Sequence, residues 1–326
     1  QAGFDVIAAV DSDKYAAKTY KLNHPDTVLF EQDIRSLDTY NIKELLNGKR
    51  LHLLAGCPPC QGFSIIRRLN RKQAVEDERN NLLLEFLRFV EELTPLTIML
   101  ENVPGIINYH LFEVFVDRLR ELGYNPKNSI LDVSNYGVPQ RRKRLVLVGS
   151  LLGNLDVVKC NMKTVTVRMA IGKMEDVSET KDPIHKIYPR HTPRIKKMIS
   201  MIPKNGGSRG DLPEEYRLKC HKKKNVGFHD VYGRLRWDDV SSTITGGCLN
   251  PSKGRFLHPE ENRCITAREA ALLQTFPITY KFAQDIPRDA LATQIGNALP
   301  PQFCYIQSQN ISDHLNEHME IKKEIS

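Results

Sequence analysis

The sequence has no apolar run approaching the ~18 residues of a membrane span, and no signal peptide is visible, so membrane-spanning classes are set aside. It has no internal repeat and no low-complexity tract. Its seven cysteines are an odd set without framework-like spacing, which excludes a disulfide scaffold and fits reduced thiols in an intracellular, cytoplasmic setting. Cys57 and Cys60 form one Cys-x-x-Cys, but Cys160, Cys220, Cys248, Cys264 and Cys304 supply no second, so no metal centre is expected. What remains is the composition of an ordinary globular protein, 40% hydrophobic and 26% charged. At 326 residues there is room for one large domain and a smaller one.

Charge is unevenly spread. Lys159 to Arg236 holds 19 Lys and Arg against 8 Asp and Glu, while the remainder carries 28 against 31. A segregated basic region is the footprint of a polyanion partner, and equally the mark of a well-hydrated loop region.

The stretch Leu51 to Ser64 organises the rest. Leu51, Leu53, Leu54 and Ala55 suit a strand buried on both faces, and Gly56 with Pro58-Pro59 ends it abruptly. Cys60 then lies beyond the carboxyl end of a strand, where open parallel sheets bind ligands. A Pro-Pro lead stiffens that turn, placing the thiol as a nucleophile. Three other readings stand beside it: a small buried apolar residue, a Cys57–Cys60 redox dithiol, and a zinc ligand.

In chain order, Phe4–Val10 reads as a buried strand ending at Asp11, a carboxylate placed either to hold a ribose or to cap a helix. A helix is expected over Asp13–Leu22, a strand over Val28–Glu31 leading to Asp33, and a short helix over Ile42–Leu46. After Ser64 a loop rich in Arg67, Arg68, Arg71 and Lys72 resolves at Arg79 into a helix with Leu82, Leu83, Phe86, Leu87, Val90 and Leu93 on helical spacing. Leu96–Leu100 is a buried strand ending in Glu101, and Leu111–Leu122 a helix closed by Gly123. Strands near Ile130–Val133 and Leu145–Val148 flank Tyr136–Arg144. Alternating strands and helices indicate a mostly parallel α/β sheet. Pro183–Pro213 reads as loop, with His185, His191 and His221 as solvated loop residues. A β-like stretch surrounds Ser241–Gly247. Thr266 caps a helix over Ala267–Gln274 with Glu269 at the capping-box position, and Pro300-Pro301 opens a final helix to about Leu315.

A thiol at Cys60, a carboxyl at Glu101 and guanidinium groups at Arg141, Arg142 and Arg144 suit addition to an electron-poor ring whose developing charge must be neutralised. C6 of cytosine is such a target once N3 is protonated or hydrogen-bonded.

Five segments resemble, in order, motifs of the cytosine-5 DNA methyltransferases: Pro59-Cys60-Gln61, Glu101-Asn102-Val103, Gln140-Arg141-Arg142-Lys143-Arg144, Arg268-Glu269 and Gln294-Ile295-Gly296-Asn297. The resemblance spans nearly the whole chain. It implies a Rossmann-like S-adenosylmethionine-dependent methyltransferase domain over 1–154 plus 292–326, and a smaller, loop-rich target-recognition domain with hinge over 155–291. It further implies that Cys60 attacks C6 of a cytosine flipped from duplex DNA. Glu101 would hold N3 and the exocyclic amine, and Arg142 and Arg144 the base oxygen. S-adenosylmethionine would meet Asp11 at its ribose, Asp33 at its adenine amine, Pro59 along the pocket wall and Asn297 near its methionine end. Gln61, Ser64, Arg67, Arg68, Thr243 and Thr245 would contact DNA. The implied protein is a monomer acting on nucleoid DNA, of prokaryotic or phage modification type, sharing its target sequence with a restriction endonuclease.

Two departures accompany the resemblance. Asp11 stands where the family usually has Glu, shortening the reach to a ribose hydroxyl. The family's Phe-x-Gly-x-Gly strand and loop, on the order of 20–30 residues, would precede Gln1, so weak cofactor binding and low stability are expected of this chain, checked by calorimetry against one extended upstream. Other functions compatible with the residues are an RNA cytosine-5 methyltransferase, a DNA-binding remnant without catalysis and a thiol oxidoreductase.

Overall fold

The computed structural model describes residues 2–58, 82–217 and 230–325. The chain divides into two compact units: 1–132, 143–160 and 304–326 form the first, 133–142 and 161–303 the second.

In the first unit β1 (Ala8–Val10) and β2 (Val28–Phe30) pair in parallel through α1 (Lys14–Asn23). Asp13 caps α1, its carboxylate accepting from the N–H of Tyr15 and Ala16. After the short helix α2 (Tyr40–Leu46), β3 (Leu53–Gly56) pairs in parallel with β4 (Thr97–Asn102). Helix α3 (Leu82–Leu93) joins the sheet from one side, and α4 (His110–Glu121) packs beside it. The sheet order is β3-β4-β6-β5, in which β6 (Lys143–Ser150) runs antiparallel to both β4 and β5 (Lys127–Asp132). Three of its four strands therefore share one direction. The reversal follows from chain length: Val133–Arg142 holds no crossover helix, and strands so joined must run antiparallel.

Every residue of β4 is buried, so its alternation separates two environments. Ile98 and Leu100 enter an apolar core with Leu83, Phe86 and Val90 of α3, Phe112, Phe115 and Leu119 of α4, and Leu145 and Leu147 of β6. Thr97, Met99 and Glu101 take the opposite face. At the end of β3, a Cβ on Gly56 would lie 2.6 Å from the Phe86 ring, so only glycine lets α3 close on that strand. The last helix, α9 by position in the chain (Pro301–Ile325), joins this unit from Cys304 onward. Gln307 pairs there with both backbone groups of Val158, at 3.1 and 2.9 Å.

The second unit has little regular sheet. Its helices are α5 (Val167–Ile171), α6 (Pro193–Met201), α7 (Ala267–Leu273) and α8 (Arg288–Asn297). Val167, Ile171, Leu235, Trp237, Ile244, Phe256, Leu273 and Ile295 share one core. Arg234 is completely buried, and all five of its donors are used. Nε reaches Ile202 O (3.1 Å), Nη1 reaches His258 O and Glu261 O (2.9 and 2.5 Å), and Nη2 reaches Ile199 O and Asn262 Oδ1 (2.9 and 2.6 Å).

Several sequence expectations change. The strand expected over Phe4–Val10 pairs only at Ala8–Val10, because β2 offers three partners. Pro183–Pro213, expected as loop, contains α6, capped by the Thr192 hydroxyl and started by Pro193. His185, expected to be solvated, is fully buried between Thr266 Oγ1 and Glu175 O, both at 2.9 Å. His221 lies outside the described residues. The final helix runs ten residues past Leu315, to Ile325. The Thr266–Glu269 capping box forms as expected, with reciprocal bonds of 2.7 and 3.1 Å.

Candidate active site

Ionisable side chains meet at the strand ends of the first unit. In the β3–β4 register Gly56 lies opposite Leu100, so the next residue, Cys57, falls opposite Glu101. In the β4–β6 register Val146 lies opposite Glu101, which sets Arg144, two residues away, on the same face. Arg144 Nε meets Glu101 Oε1 at 2.7 Å, with the two side chains only 15% and 9% exposed. Burial lowers the Arg144 pKa, and the Glu101 carboxylate works against that shift. Cys57, at the end of β3, is exposed to solvent.

Asn102, to which the sequence reading gave no separate role, fixes the neighbouring chain. Its Nδ2 donates to Pro58 O at 3.0 Å and its Oδ1 accepts from Val103 N at 2.8 Å. The backbone that leads to Pro59-Cys60 is thus held beside Glu101. Pro59, Cys60, Gln61, Ser64, Arg67 and Arg68 themselves lie outside the described residues. Asn102's position directly after a candidate catalytic carboxylate, at a strand end, is the signal that could have found it.

A cavity of about 1300 Å³ is lined by residues 3–12, 32–34 and 49–58 together with Leu82, Phe86, Phe89 and Leu93. Its walls combine apolar side chains with three carboxylates, Asp5, Asp11 and Asp33, a set that fits a nucleoside: acceptors for ribose hydroxyls and an exocyclic amine, apolar surface for a base. Asp11 follows β1 and accepts from Asp13 N at 2.8 Å. Desolvation raises its pKa, against the Asp13 backbone bond and with the Asp13 charge. Asp33 is gripped by Arg35, whose Nε and Nη2 lie 3.0 and 2.6 Å from its oxygens. That contact holds its pKa down at about 2.

Arg142 lies in the second unit, and its guanidinium is spent differently from the sequence expectation. It is 3% exposed, and Nη1 donates to Ile244 O and Gly296 O at 2.9 and 2.8 Å. Gln140 Oε1 accepts from Ile244 N at 3.0 Å while its Nε2 meets the Gln274 carboxamide, and Gln274 Nε2 reaches Ile295 O at 2.6 Å. These side chains tie four segments: the Gln140–Arg142 stretch, the Ile244 strand-like stretch, the end of α7 and the end of α8. The packing there is so close that a Cβ on Gly296 would lie 2.0 Å from the Thr245 carbonyl carbon. Asn297 faces Gly246 in the same region. The Thr243 hydroxyl donates to Arg141 O at 2.7 Å, and the Thr245 hydroxyl accepts from Gly247 N at 3.3 Å, so both have backbone partners.

Among the described residues, one group has a metal-like set of donors, His258, Glu261 and Glu269. Arg263 occupies it: Nε and Nη2 meet Glu261 at 2.7 Å each, and Nη1 and Nη2 meet Glu269 at 2.8 Å each. The Arg263 guanidinium thus uses oxygens of both carboxylates. No helix among the described residues is long and apolar enough to cross a membrane.

The family model described as C-5 cytosine-specific DNA methylase matches residues 1–312. A Type II methylase of Herpetosiphon aurantiacus, M.HgiDII, is 35% identical over 96% of this chain and 90% of its own length. A Type II methyltransferase of Haemophilus parahaemolyticus, M1.HphI, is 31% identical over 92% of this chain and 79% of its own. The crystal structure of the S. pombe Dnmt2 methyltransferase superposes with a TM-score of 0.66 at 19% identity, covering 96% of this chain and 92% of that one, a likeness of fold.

Proposed function

From the premise that this chain belongs to the C-5 cytosine-specific DNA methylase family, we propose how its residues carry the reaction and which of them read DNA. The enzyme transfers a methyl group from S-adenosylmethionine to C5 of cytosine in DNA. The observation that carries the residue-level reading is the Glu101–Arg144 pair at the strand ends, 2.7 Å apart and nearly closed to solvent.

A cytosine turned out of the duplex presents N3 and its exocyclic amine to Glu101 and its oxygen to Arg144. Proton donation or hydrogen bonding at N3 draws electron density from the ring, and the Cys60 thiolate then bonds to C6. The C6 addition makes C5 nucleophilic. S-adenosylmethionine, when bound, supplies an electrophilic methyl group. Solvent water takes the C5 proton, the C–H electron pair re-forms the C5–C6 double bond, and the C6–sulfur bond breaks to release thiolate. Arg142 acts here by position: its hold on Ile244 O and Gly296 O supports the backbone that continues into Arg144.

Asp11 holds the cofactor's ribose, Asp33 its adenine amine, Pro59 its flank and Asn297 its methionine end. Residues 155–291 form the target-recognition region, where the basic surplus of Lys159–Arg236 meets phosphates and a minority of side chains read base edges. Gln61, Ser64, Arg67, Arg68, Thr243 and Thr245 supply further DNA contacts. The target is one specific duplex sequence, the protein works as a monomer, and a restriction endonuclease shares the site without sharing the protein's surface.

Duplex DNA carrying 5-fluorocytosine tests this reading, because fluorine at C5 blocks the last step and strands the adduct. A denaturant-stable complex that disappears in Cys60→Ser is the expected result. No complex, with methylation of ordinary cytosine still detected, would overturn the covalent step. Preferential methylation of RNA over duplex DNA would overturn the substrate.

A further inference from the structure

We propose that α6 and its flanks form a sequence-independent grip on duplex DNA: Arg194, Lys196 and Lys197, with Arg190 before them and Lys204 after, meet phosphates and read no base. The proposal rests on the reading of duplex DNA as the substrate. It assigns one place to a contact that charge composition alone leaves spread over Lys159–Arg236.

Three observations carry it. From Pro183 to Gly210 the chain has seven Lys and Arg and not one Asp or Glu, and of the seven only Arg209 is buried. A face kept only for solubility mixes both signs. Second, among the described residues none of the five cations of the grip meets a carboxylate. Lys197 Nζ lies 5.3 Å from the Tyr216 ring centroid, a contact that leaves its charge unanswered. The exposed helical arginines of the first unit behave otherwise: Arg118 meets Glu91 and Glu121 at 2.6 and 2.8 Å, and Arg120 meets Asp117 at 2.6 Å. Third, the first turn of α6 holds Arg194 and Lys196 and no acid, the reverse of what the positive end of a helix favours.

Folding gains nothing from cations placed there. A phosphate would answer the two side chains and the helix end together. The other end of α6 is already answered, since buried Arg234 donates to Ile199 O and Ile202 O at 2.9 and 3.1 Å. Ile195, Met198 and Ile199 pack with Leu212 and Leu257, so the basic face stands outward on a fixed support. Three of the five cations are lysines, point charges without the fork that matches a base edge. A phosphate contact fixes position and carries no sequence information. Such a grip holds any duplex and leaves discrimination to other side chains of residues 155–291.

Fluorescence anisotropy with the full chain and two labelled duplexes of unrelated sequence tests the grip over a salt series. Arg194→Gln combined with Lys197→Gln should flatten the slope of log affinity against log salt by about 2, and equally on both duplexes. Arg118→Gln combined with Arg120→Gln removes the same charge from α4 and should leave the slope in place. An unchanged slope in the α6 variant, or an equal fall in the α4 variant, would overturn the proposal. Loss on one duplex only would make α6 a base reader and overturn it as well. The unfolding midpoint of Arg194→Gln should hold or rise, because a cation leaves the positive end of a helix; a fall would give Arg194 a structural part instead. An unaltered chain that binds neither duplex at low salt would take down the reading of DNA as substrate, a result distinct from a chain that binds with a slope indifferent to α6.

Discussion

The two units solve the problem of buried polarity in opposite ways. In the first, strands pair their own backbone, and the side chains left at the strand ends are available for chemistry. In the second, little regular sheet exists, so side chains do what a ladder would. Arg234 answers five acceptors, Arg255 Nη1 bonds Arg234 O at 2.9 Å, and Gln140 and Gln274 bridge four segments. The contrast appears within one motif. Arg144 faces a carboxylate, while Arg142, two residues earlier, faces carbonyls. The two arginines differ because Arg144 lies within β6 beside Glu101, while Arg142 precedes the strand.

Four experiments would break or sharpen that contrast. Glu101→Gln should cost the most function, on the order of 10²–10⁴ in methylation rate, with the unfolding midpoint nearly unchanged. A large loss of stability would instead make Glu101 a structural group. Arg234→Met should do the reverse, leaving carbonyls unanswered in the second unit at a cost of about 3 kcal/mol or more in denaturant unfolding. A mild effect would mean that the arginine merely fills space. Thr266→Ala removes one cap of a buried capping box and should cost about 1 kcal/mol by the same measurement.

The smallest effect concerns pH. Burial holds His258 below its ordinary 6.5, although Glu269 and Glu261 pull the other way. The folded state then binds fewer protons than the unfolded one, so this contribution is complete above 6.5 and is lost as pH falls through the lowered value. His258→Gln should flatten the acid side of the stability profile by less than about 1 kcal/mol. An unchanged profile would assign the dependence to His314 or His191, whose pKa values burial also lowers.

Legibility in the sequence tracked local regularity. Leu96–Leu100 running into Glu101 announced a buried strand and its polar end, and Thr266 with Glu269 announced a helix start. The mostly parallel sheet was readable from the alternation of strands and helices, and the reversal of β6 was readable too, since Val133–Arg142 is too short for a crossover. Helix α6 was masked by polar composition, although Thr192-Pro193 before Ile195, Met198 and Ile199 carried both a cap and an apolar face. Arg142 was recognisable as part of a motif. Its carbonyl partners come from residues more than a hundred positions away, and no local pattern encodes such a meeting. The same holds for His185, whose burial depends on Thr266.

Arg234 carries a consequence of its own. Its charge is met by carbonyl dipoles and one carboxamide, none of which titrates in acid or attracts a competing counter-ion. Conditions that strip a DNA-binding protein from phosphates, or protonate its acids, leave that anchor intact. The acid-sensitive contacts of the second unit lie elsewhere, at His258 and Glu269 beside Arg263, at Asp182 against Arg268, and at His191.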